Sequence, residues 1–132
     1  MSLNNPVPRV AAIHDISGFG RSSLTIVLPV LSAMGVQASP LPTALLSTQT
    51  SGFGDYFFLD LSDEMIKISD HWKKLNLSFD AIYSGFLGSS RQVQIVSEFI
   101  DYFRPKGHFT VVDPVMGDDG KTYGPYGKDM VN

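Results

Sequence analysis

The chain has 132 residues, which is enough for one domain with a buried core and too short for two. Its composition is 43% hydrophobic, 11% aromatic and 17% charged, which excludes a disordered tail and a coiled coil. Lys and Arg number 10 against 13 Asp and Glu, so the net charge is −3 and the basic excess typical of nucleic-acid-binding proteins is missing. The sequence has no cysteine, which excludes disulfides, thiolate zinc sites and cysteine nucleophiles.

No stretch of the sequence approaches the ~20 apolar residues that span a membrane. The first residues lack the basic and apolar regions of a secretory signal. The histidines at 14, 71 and 108 are too far apart for the spacing of a metal site. We therefore expect a cytoplasmic protein that binds neither membranes nor nucleic acid.

The first third of the chain alternates between strand and helix patterns. A short apolar run at 8–14 is typical of a buried strand, and the glycine-rich segment 15–23 predicts a turn. A helix is predicted from Leu24, with a kink at Pro29 and its C-terminal end at Gly35. The expected apolar face of this helix comprises Leu24, Val27, Leu28 and Leu31.

The next segments continue the alternation. A second strand is predicted at 36–41, and the polar segment 43–56 predicts a loop or a short helix. Ser62 is expected to cap a helix whose acidic first turn suits the helix dipole. Its expected apolar face comprises Met65, Ile68, Trp72 and Leu75.

A third strand is predicted at 80–84, followed by a helix and a fourth strand at 109–113. Ser89 and Gln92 have the spacing of a capping box at the start of that helix, and 105–107 should end it. The residues expected to be buried on its apolar face are Val93, Val96, Phe99, Ile100 and Phe103.

This order predicts an α/β fold with three layers: a mainly parallel sheet with helices on both faces. Ligands bind such sheets at the carboxyl ends of the strands. Three of the predicted strands end there in segments rich in Gly, Ser or Asp, at 15–20, 84–88 and 113–120. Because no strand follows to cover the last unit, we expect residues 1–132 to be the N-terminal part of a single larger domain, incomplete at the C-terminus.

The segment 15–23 follows a strand and opens a helix, a place where backbone N–H groups can meet a ligand. It is neither standard phosphate motif, because a dinucleotide fingerprint requires glycine at Ser23 and a P-loop requires Gly-Lys-Ser/Thr. A structural turn and a ligand loop both remain open interpretations. The Asp15 carboxylate favours the second, since it can accept a hydrogen bond from a ligand hydroxyl.

Three carboxylates lie within seven positions, at Asp113, Asp118 and Asp119. Mg²⁺ takes oxygen ligands, often one or two carboxylates together with substrate phosphates. Asp-Asp-Gly is also ordinary turn chemistry, and spacing alone leaves the metal site and the acidic turn evenly balanced.

Four segments together resemble a known family: 12–20 (AIHDISGFG), 41–50 (LPTALLSTQT), 84–89 (SGFLGS) and 113–118 (DPVMGD). In this order and at this separation they are similar to the pyridoxal kinases of the ribokinase-like superfamily, and to their relatives the hydroxymethylpyrimidine kinases. The resemblance extends from Arg9 onward over nearly the whole chain.

The resemblance implies ATP-dependent phosphorylation of the hydroxymethyl group of pyridoxal, pyridoxine or pyridoxamine, with Mg²⁺, by a homodimer. It implies a flap over the substrate at 52–58. The substrate-binding residues that it implies are Asp15, Ser17, Gly18, Ser47, Thr50 and Phe86, the last at a position often held by tyrosine. For ATP and its phosphates it implies Asp113, Asp118 and Tyr123, of which Asp113 and Asp118 would hold the metal.

Two family features are missing from this sequence: a Pro-Asn-x-x-Glu motif and a glycine-rich anion hole with the catalytic aspartate. The general base is therefore expected beyond Asn132, and the chain alone is expected to be inactive. Two alternatives stay open. One is a hydroxymethylpyrimidine kinase of thiamine synthesis, and the other is a non-catalytic ligand-binding fragment.

Overall fold

The computed structural model describes residues 7–104, 109–123 and 130, and within them strands and helices alternate. The elements in chain order are β1 (Arg9–Phe19), α1 (Leu24–Ala33), β2 (Gln37–Thr48), β3 (Phe58–Asp60), α2 (Ser62–Lys74), β4 (Ala81–Ser84), α3 (Ser90–Phe103), β5 (Phe109–Val112), β6 (Gly117–Asp118) and β7 (Lys121–Thr122).

The main sheet has five strands in the order β3-β2-β1-β4-β5. β1 pairs in parallel with β2 and β4, and β4 pairs in parallel with β5, whereas β3 pairs antiparallel with β2. β6 and β7 form a separate antiparallel hairpin. The predicted α/β class with a mainly parallel sheet is confirmed, and the carboxyl ends of β1, β2, β4 and β5 therefore meet at one edge.

The hydrophobic core lies between the sheet and the pair α2 and α3. Ala11 and Ile13, which alternate along β1, face this core. The helix and loop residues of the core are largely aromatic, and Phe79 and Phe103 meet edge to face with ring centroids 5.4 Å apart. The other members of the buried cluster are Leu41, Met65, Ile82, Val96 and Phe99. Full burial of each large side chain contributes roughly 1.5–3 kcal/mol.

The predicted limits of the first two strands are too short. β1 continues through the predicted turn as far as Phe19, which pairs with Thr48. β2 runs through Pro40 and Pro42 and ends at Thr48, within the segment 43–56 that was predicted as a loop or a short helix. The Gln37 N–H donates to the Pro8 carbonyl on the β1 side, at 2.8 Å, and alternate residues of a parallel strand point the same way.

Because of this alternation, the prolines at 40 and 42 direct their missing N–H positions away from β1. β3 pairs further along, with Ala44, Leu45 and Leu46. The two prolines therefore interrupt neither ladder, and β2 tolerates both of them.

The helix ends confirm some predictions and correct others. Gly35 (φ 78°) follows α1, and the N–H groups of Gly35 and Val36 donate to the carbonyls of Ser32 and Leu31, as a Schellman motif requires. Pro29 is the sixth residue of α1 and the helix continues beyond it to Ala33, so the proline does not end the helix, and the kink there stays a prediction.

The caps of α2 and α3 differ. Leu61 rather than Ser62 occupies the N-cap position of α2, and the Ser62 N–H donates to the Asp60 carboxylate at 2.8 Å. At α3 the Ser89 hydroxyl accepts from the Gln92 N–H at 3.2 Å, which confirms one half of the predicted capping box, whereas the Gln92 side chain accepts from the Gly88 N–H and not from the Ser89 N–H. The predicted burial of two apolar side chains is wrong, since Leu75 is 54% exposed and Val93 is 46% exposed. The predicted helix stop at 105–107 lies outside the described residues.

Candidate active site

A cavity of about 280 Å³ opens at the carboxyl ends of β1 and β2. Its volume is close to the lower end of the range of about 300–1,000 Å³ that is usual for ligand pockets, which suits a single substituted ring. The lining residues come from β1, the turn before α1, β2 and the segment after it, the loop after β4, and the segment 115–123 that includes β6 and β7. They are Asp15, Ser17, Ser22, Ser23, Leu46, Gln49, Thr50, Ser51, Phe86, Val115, Asp118 and Tyr123.

A bulge places Asp15 in this cavity. The register between β1 and β2 shifts between His14 and Ile16, so that Thr43 and Ala44 lie opposite the single residue Asp15. Asp15 is 6% exposed, and burial raises its pKa above the ordinary value for aspartate. A hydrogen bond from Ser23 and one from its own backbone oppose that rise.

The start of α1 supplies two serine hydroxyl groups to the cavity. The Ser23 Oγ donates to the Asp15 Oδ1 at 2.5 Å, and the Ser22 Oγ lies 3.3 Å from the Ser17 Oγ. Ser22 is held in turn by Thr25, whose Oγ1 accepts from the Ser22 N–H at 3.0 Å and donates to the Ser22 carbonyl at 2.8 Å. The turn thus presents its hydroxyl groups in fixed positions.

An aromatic wall closes the opposite side. Phe86 is 7% exposed, and its ring meets that of Tyr123 edge to face at a centroid distance of 6.2 Å. Burial raises the pKa of Tyr123, and the negative charge of Asp118 raises it further, so the phenol stays protonated at neutral pH. A flat heteroaromatic ring is the natural partner for such a wall.

The Asp-Asp-Gly segment is indeed a tight turn. Asp119 (φ 48°) and Gly120 (φ 74°) occupy the two central positions between β6 and β7, which is the backbone pattern of a type I′ hairpin. The Asp118 carboxylate accepts from the Asp119 N–H at 3.0 Å and also lines the cavity. The turn and the site interpretation of this segment are therefore compatible.

Three residues singled out from the sequence are not among those that line the cavity. The Ser47 hydroxyl accepts from the Phe57 N–H at 2.9 Å, so the prediction that Ser47 faces the same pocket as Asp15 is wrong. Alternation along β2 turns Leu46 into the cavity and Ser47 away from it. Gly18 lies beside Ser47 in the sheet, and Asp113 lies at the exposed end of β5.

The sequence analysis missed Ser22, Ser23, Gln49 and Ser51 as lining residues. Their hydroxyl and amide groups were the available signal, because they flank the two segments that carry the family resemblance. The segment after β2 is closed by two hydrogen bonds between Ser47 and Phe57 and by the edge-to-face pair of Phe19 and Phe53, with centroids 5.5 Å apart.

His14, next to Asp15, does not line the cavity. It is 3% exposed, its ring meets Tyr83 edge to face at 4.4 Å, and its Nε2 has no hydrogen-bond partner among the described residues. Burial lowers the pKa of His14 to about 4, although the charge of Asp113 opposes this. The imidazole is therefore neutral at pH 7.

Gly85 gives the His14 ring its space. A Cβ atom built at Gly85 would lie 2.3 Å from the His14 Nδ1 and 2.7 Å from its Cε1. We expect Gly85→Ala to lower the free energy of unfolding by roughly 1–3 kcal/mol through this overpacking. Chemical denaturation measures the loss.

Two further variants serve as controls for Gly85→Ala. In Gly88→Ala the new Cβ would meet the end of the Phe58 side chain at 3.2 Å, so the cost should be smaller. In a His14→Ala background the ring is gone, and Gly85→Ala should then cost little. An equal cost in both backgrounds would contradict the assigned contact.

The described residues contain no group of three or more His, Asp or Glu side chains arranged to hold a metal ion. The two carboxylates predicted for Mg²⁺, Asp113 and Asp118, are both exposed at the same edge as the cavity. A pair of oxygen ligands still fits Mg²⁺, which keeps several waters and relies on substrate phosphates. In the part of the chain that the structure describes, no helix has the length and apolar character needed to cross a bilayer.

Comparisons with solved structures relate this fold to small-molecule kinases. A candidate phosphomethylpyrimidine kinase from Bacteroides thetaiotaomicron VPI-5482 is 53% identical with a TM-score of 0.93, over 99% of this chain and 45% of that chain. A second crystal form of it, with pyridoxal, matches at 55% identity and a TM-score of 0.91, over 95% of this chain and 43% of that chain. Pyridoxal kinase from Lactobacillus plantarum is 35% identical with a TM-score of 0.85, over 95% and 44% of the two chains.

No protein-family model matches the sequence, and no curated protein matches it. The fold is that of the ribokinase-like pyridoxal kinases. Within that class the chain is similar to pyridoxal kinases and to the candidate phosphomethylpyrimidine kinase, which confirms the resemblance seen in the sequence. The chain spans less than half the length of the structures that it matches.

Proposed function

We propose that this chain forms the ligand side and part of the phosphate side of an ATP-dependent kinase for the hydroxymethyl group of pyridoxal, pyridoxine or pyridoxamine. The observation that carries the proposal is the crystal form of the Bacteroides protein with pyridoxal, which is 55% identical to this chain over 95% of its length. The cavity supports it, because its size, its aromatic wall and its hydroxyl groups suit a hydroxylated pyridine ring.

Five side chains of the cavity have assigned roles in this proposal. Asp15 accepts a hydrogen bond from the ring, the hydroxyl groups of Ser17 and Thr50 bind the ring substituents, and Phe86 packs against the ring face. Tyr123, held as a neutral phenol, donates a hydrogen bond near the group that receives the phosphoryl group. These contacts orient the hydroxymethyl group, and orientation is a large part of catalysis in phosphoryl transfer.

ATP with Mg²⁺ supplies the phosphoryl group in this proposal. Asp113 and Asp118 would hold the metal, directly or through water, at the edge of the cavity. The Asp113 N–H donates to the Ser84 carbonyl at 2.8 Å, which fixes the start of this segment against the end of β4. The general base lies outside the described residues in this proposal, as the sequence analysis predicts.

We expect Asp113→Asn to lower kcat ten- to hundredfold and to leave the affinity for pyridoxal nearly unchanged, because the carboxylate acts on the phosphate side. Steady-state kinetics and calorimetry on the full-length protein measure the two quantities. The matched control is Asp101→Asn, which removes one exposed carboxylate from α3, a helix with no residue among those that line the cavity. An unchanged kcat in Asp113→Asn would identify the segment as a structural turn alone.

A second candidate function is phosphorylation of hydroxymethylpyrimidine, because the Bacteroides relative bears that description. The deciding experiment compares kcat/KM of the full-length protein for pyridoxal and for 4-amino-5-hydroxymethyl-2-methylpyrimidine, with ATP and Mg²⁺. A preference for pyridoxal supports the leading proposal, and a preference for the pyrimidine supports the second. Binding without any phosphorylation supports the non-catalytic alternative.

The family resemblance further supports a cytoplasmic homodimer as part of this proposal. Sedimentation velocity over a wide range of protein concentration tests the assembly. A monomer throughout that range would contradict the dimer and leave the proposed reaction untouched.

A further inference from the structure

We propose that Ser23 is a positioning residue that holds Asp15 as a charged acceptor, and that this pair selects a nitrogen heterocycle in its N-protonated, cationic form. The inference rests on the proposed function, since it concerns the same cavity. It adds the charge state of the ligand and a residue, Ser23, to which the sequence assigned no role.

Ser23 has a backbone conformation that serine rarely adopts. Its φ is 51° and its ψ is −126°, a region that glycine enters without penalty and that costs other residues about 1–3 kcal/mol. Ser23 precedes α1 in the N-cap position, but its hydroxyl group donates to Asp15 Oδ1 instead of capping the helix. The strained backbone of Ser23 therefore carries a hydroxyl group that binds the Asp15 carboxylate and does not cap the helix.

The surroundings of Asp15 demand a positive partner. Of the described residues that line the cavity, none is basic, and Asp118 adds a second carboxylate. A buried carboxylate without a counter-charge is costly, and one hydroxyl donor offsets only part of that cost. A protonated ring nitrogen supplies both the charge and an N–H donor, whereas a neutral ring with C–H at that place supplies neither.

The pH dependence of binding follows from the groups around Asp15. Burial raises the pKa of Asp15, and the bond from Ser23 lowers it, so Ser23 extends the ionised form toward lower pH. The titratable groups that share the cavity are Asp118 and Tyr123, from the β6–β7 region. β2 and the start of α1 contribute Leu46, Ser22 and Ser23, which do not titrate, and His14, the neighbour on β1, packs against Tyr83.

The test uses two probes on the full-length protein: pyridoxine, and its carbocyclic analogue in which C–H replaces the ring nitrogen. Calorimetry between pH 4 and pH 10 should show at least tenfold tighter binding of pyridoxine and a bell-shaped pH profile. Affinity falls at low pH as Asp15 takes up a proton, and at high pH as the ring nitrogen loses one. Asp15→Asn should remove both the preference and the bell shape.

Ser23→Gly isolates the positioning role, because glycine relieves the backbone strain and the variant should fold at least as stably as the wild type. We expect about tenfold weaker pyridoxine binding and an acid limb shifted to higher pH, because Asp15 loses a donor. Ser32→Ala, on the exposed part of α1, is the matched control and should change neither quantity.

Each outcome supports or overturns a stated part of the inference. Equal affinity for the two probes with a flat pH profile overturns the charge selection, while the proposed kinase function stands. An unchanged affinity and pH profile in Ser23→Gly overturns the role of Ser23. If the wild-type protein binds neither pyridoxine nor the aminopyrimidine, the proposed function fails and this inference fails with it.

Discussion

Gln92→Leu should lower the free energy of unfolding by roughly 3–5 kcal/mol, because several buried polar groups lose their partner at once. Gln92 is fully buried on α3. Its Nε2 donates to the Thr43 carbonyl at 2.7 Å and lies 3.2 Å from both the Asp60 carboxylate and the Ser62 hydroxyl. Its Oε1 accepts from the Gly88 N–H at 2.8 Å.

This amide joins β2, the end of β3, the start of α2 and the loop after β4. The same loop carries Phe86, whose carbonyl accepts from the Thr43 hydroxyl at 3.2 Å. We therefore expect Gln92→Leu to weaken ligand binding as well, through displacement of the aromatic wall. Loss of stability without any change in affinity would show that the network supports the fold and not the cavity.

Urea denaturation measures the loss, and Gln94→Leu is the matched control. Gln94 lies on the exposed side of the same helix, where its Nε2 donates to Glu98 at 3.0 Å. Removal of this surface bond should change the free energy of unfolding by less than about 0.5 kcal/mol. A loss below about 1 kcal/mol in Gln92→Leu would contradict the importance of the network.

The second large effect is expected from acid. His14 has a pKa of about 4 in the folded protein and about 6.5 when unfolded, because burial disfavours the imidazolium. Between these values the unfolded chain binds more protons, so stability is fully present above pH 6.5 and is lost as the pH falls through 4. The difference of about 2.5 pKa units corresponds to roughly 3 kcal/mol.

Carboxylates in general also change their charge between pH 7 and pH 4, so the contribution of His14 to stability is best measured as a difference between two proteins. The free energy of unfolding of the wild type minus that of His14→Phe should fall by roughly 3 kcal/mol between pH 7 and pH 4. His71→Phe replaces an exposed histidine on α2 and is the matched control for the substitution itself. Parallel curves for wild type and His14→Phe would show that His14 is not buried as a neutral base.

Local patterns were sufficient to predict much of the fold. The apolar period of 3.6 residues identified three helices, and the short apolar runs identified the cores of β1, β4 and β5. The prediction ended β2 at Leu41 because Pro42 follows, and the bulge opposite Asp15 hides the continuation of the strand. Leu41 and Thr43 are buried before it, and Ala44 and Leu46 after it, so no simple alternation runs through the strand.

The residues of the candidate site could likewise be predicted only in part from the sequence. Asp15, Ser17 and Phe86 come after predicted strands, and the rule for parallel sheets was enough to bring them together. Ser47 was misplaced because the direction of its side chain depends on the register after the bulge, which is a tertiary property. The hydroxyl group of Ser23 was visible in the sequence, but its bond to Asp15 was not, since that bond and the backbone conformation of Ser23 exist only once β1 and α1 have met.

β5 is an outer strand of the sheet, and Phe109, Val111 and Val112 are 68%, 44% and 59% exposed. An apolar outer strand with unpaired backbone groups is a template on which other strands can add. A strand that added to β5 would satisfy its backbone N–H and C=O groups and cover its apolar side chains in a single step. This edge of the described sheet therefore has the physical properties of a site for β-strand addition.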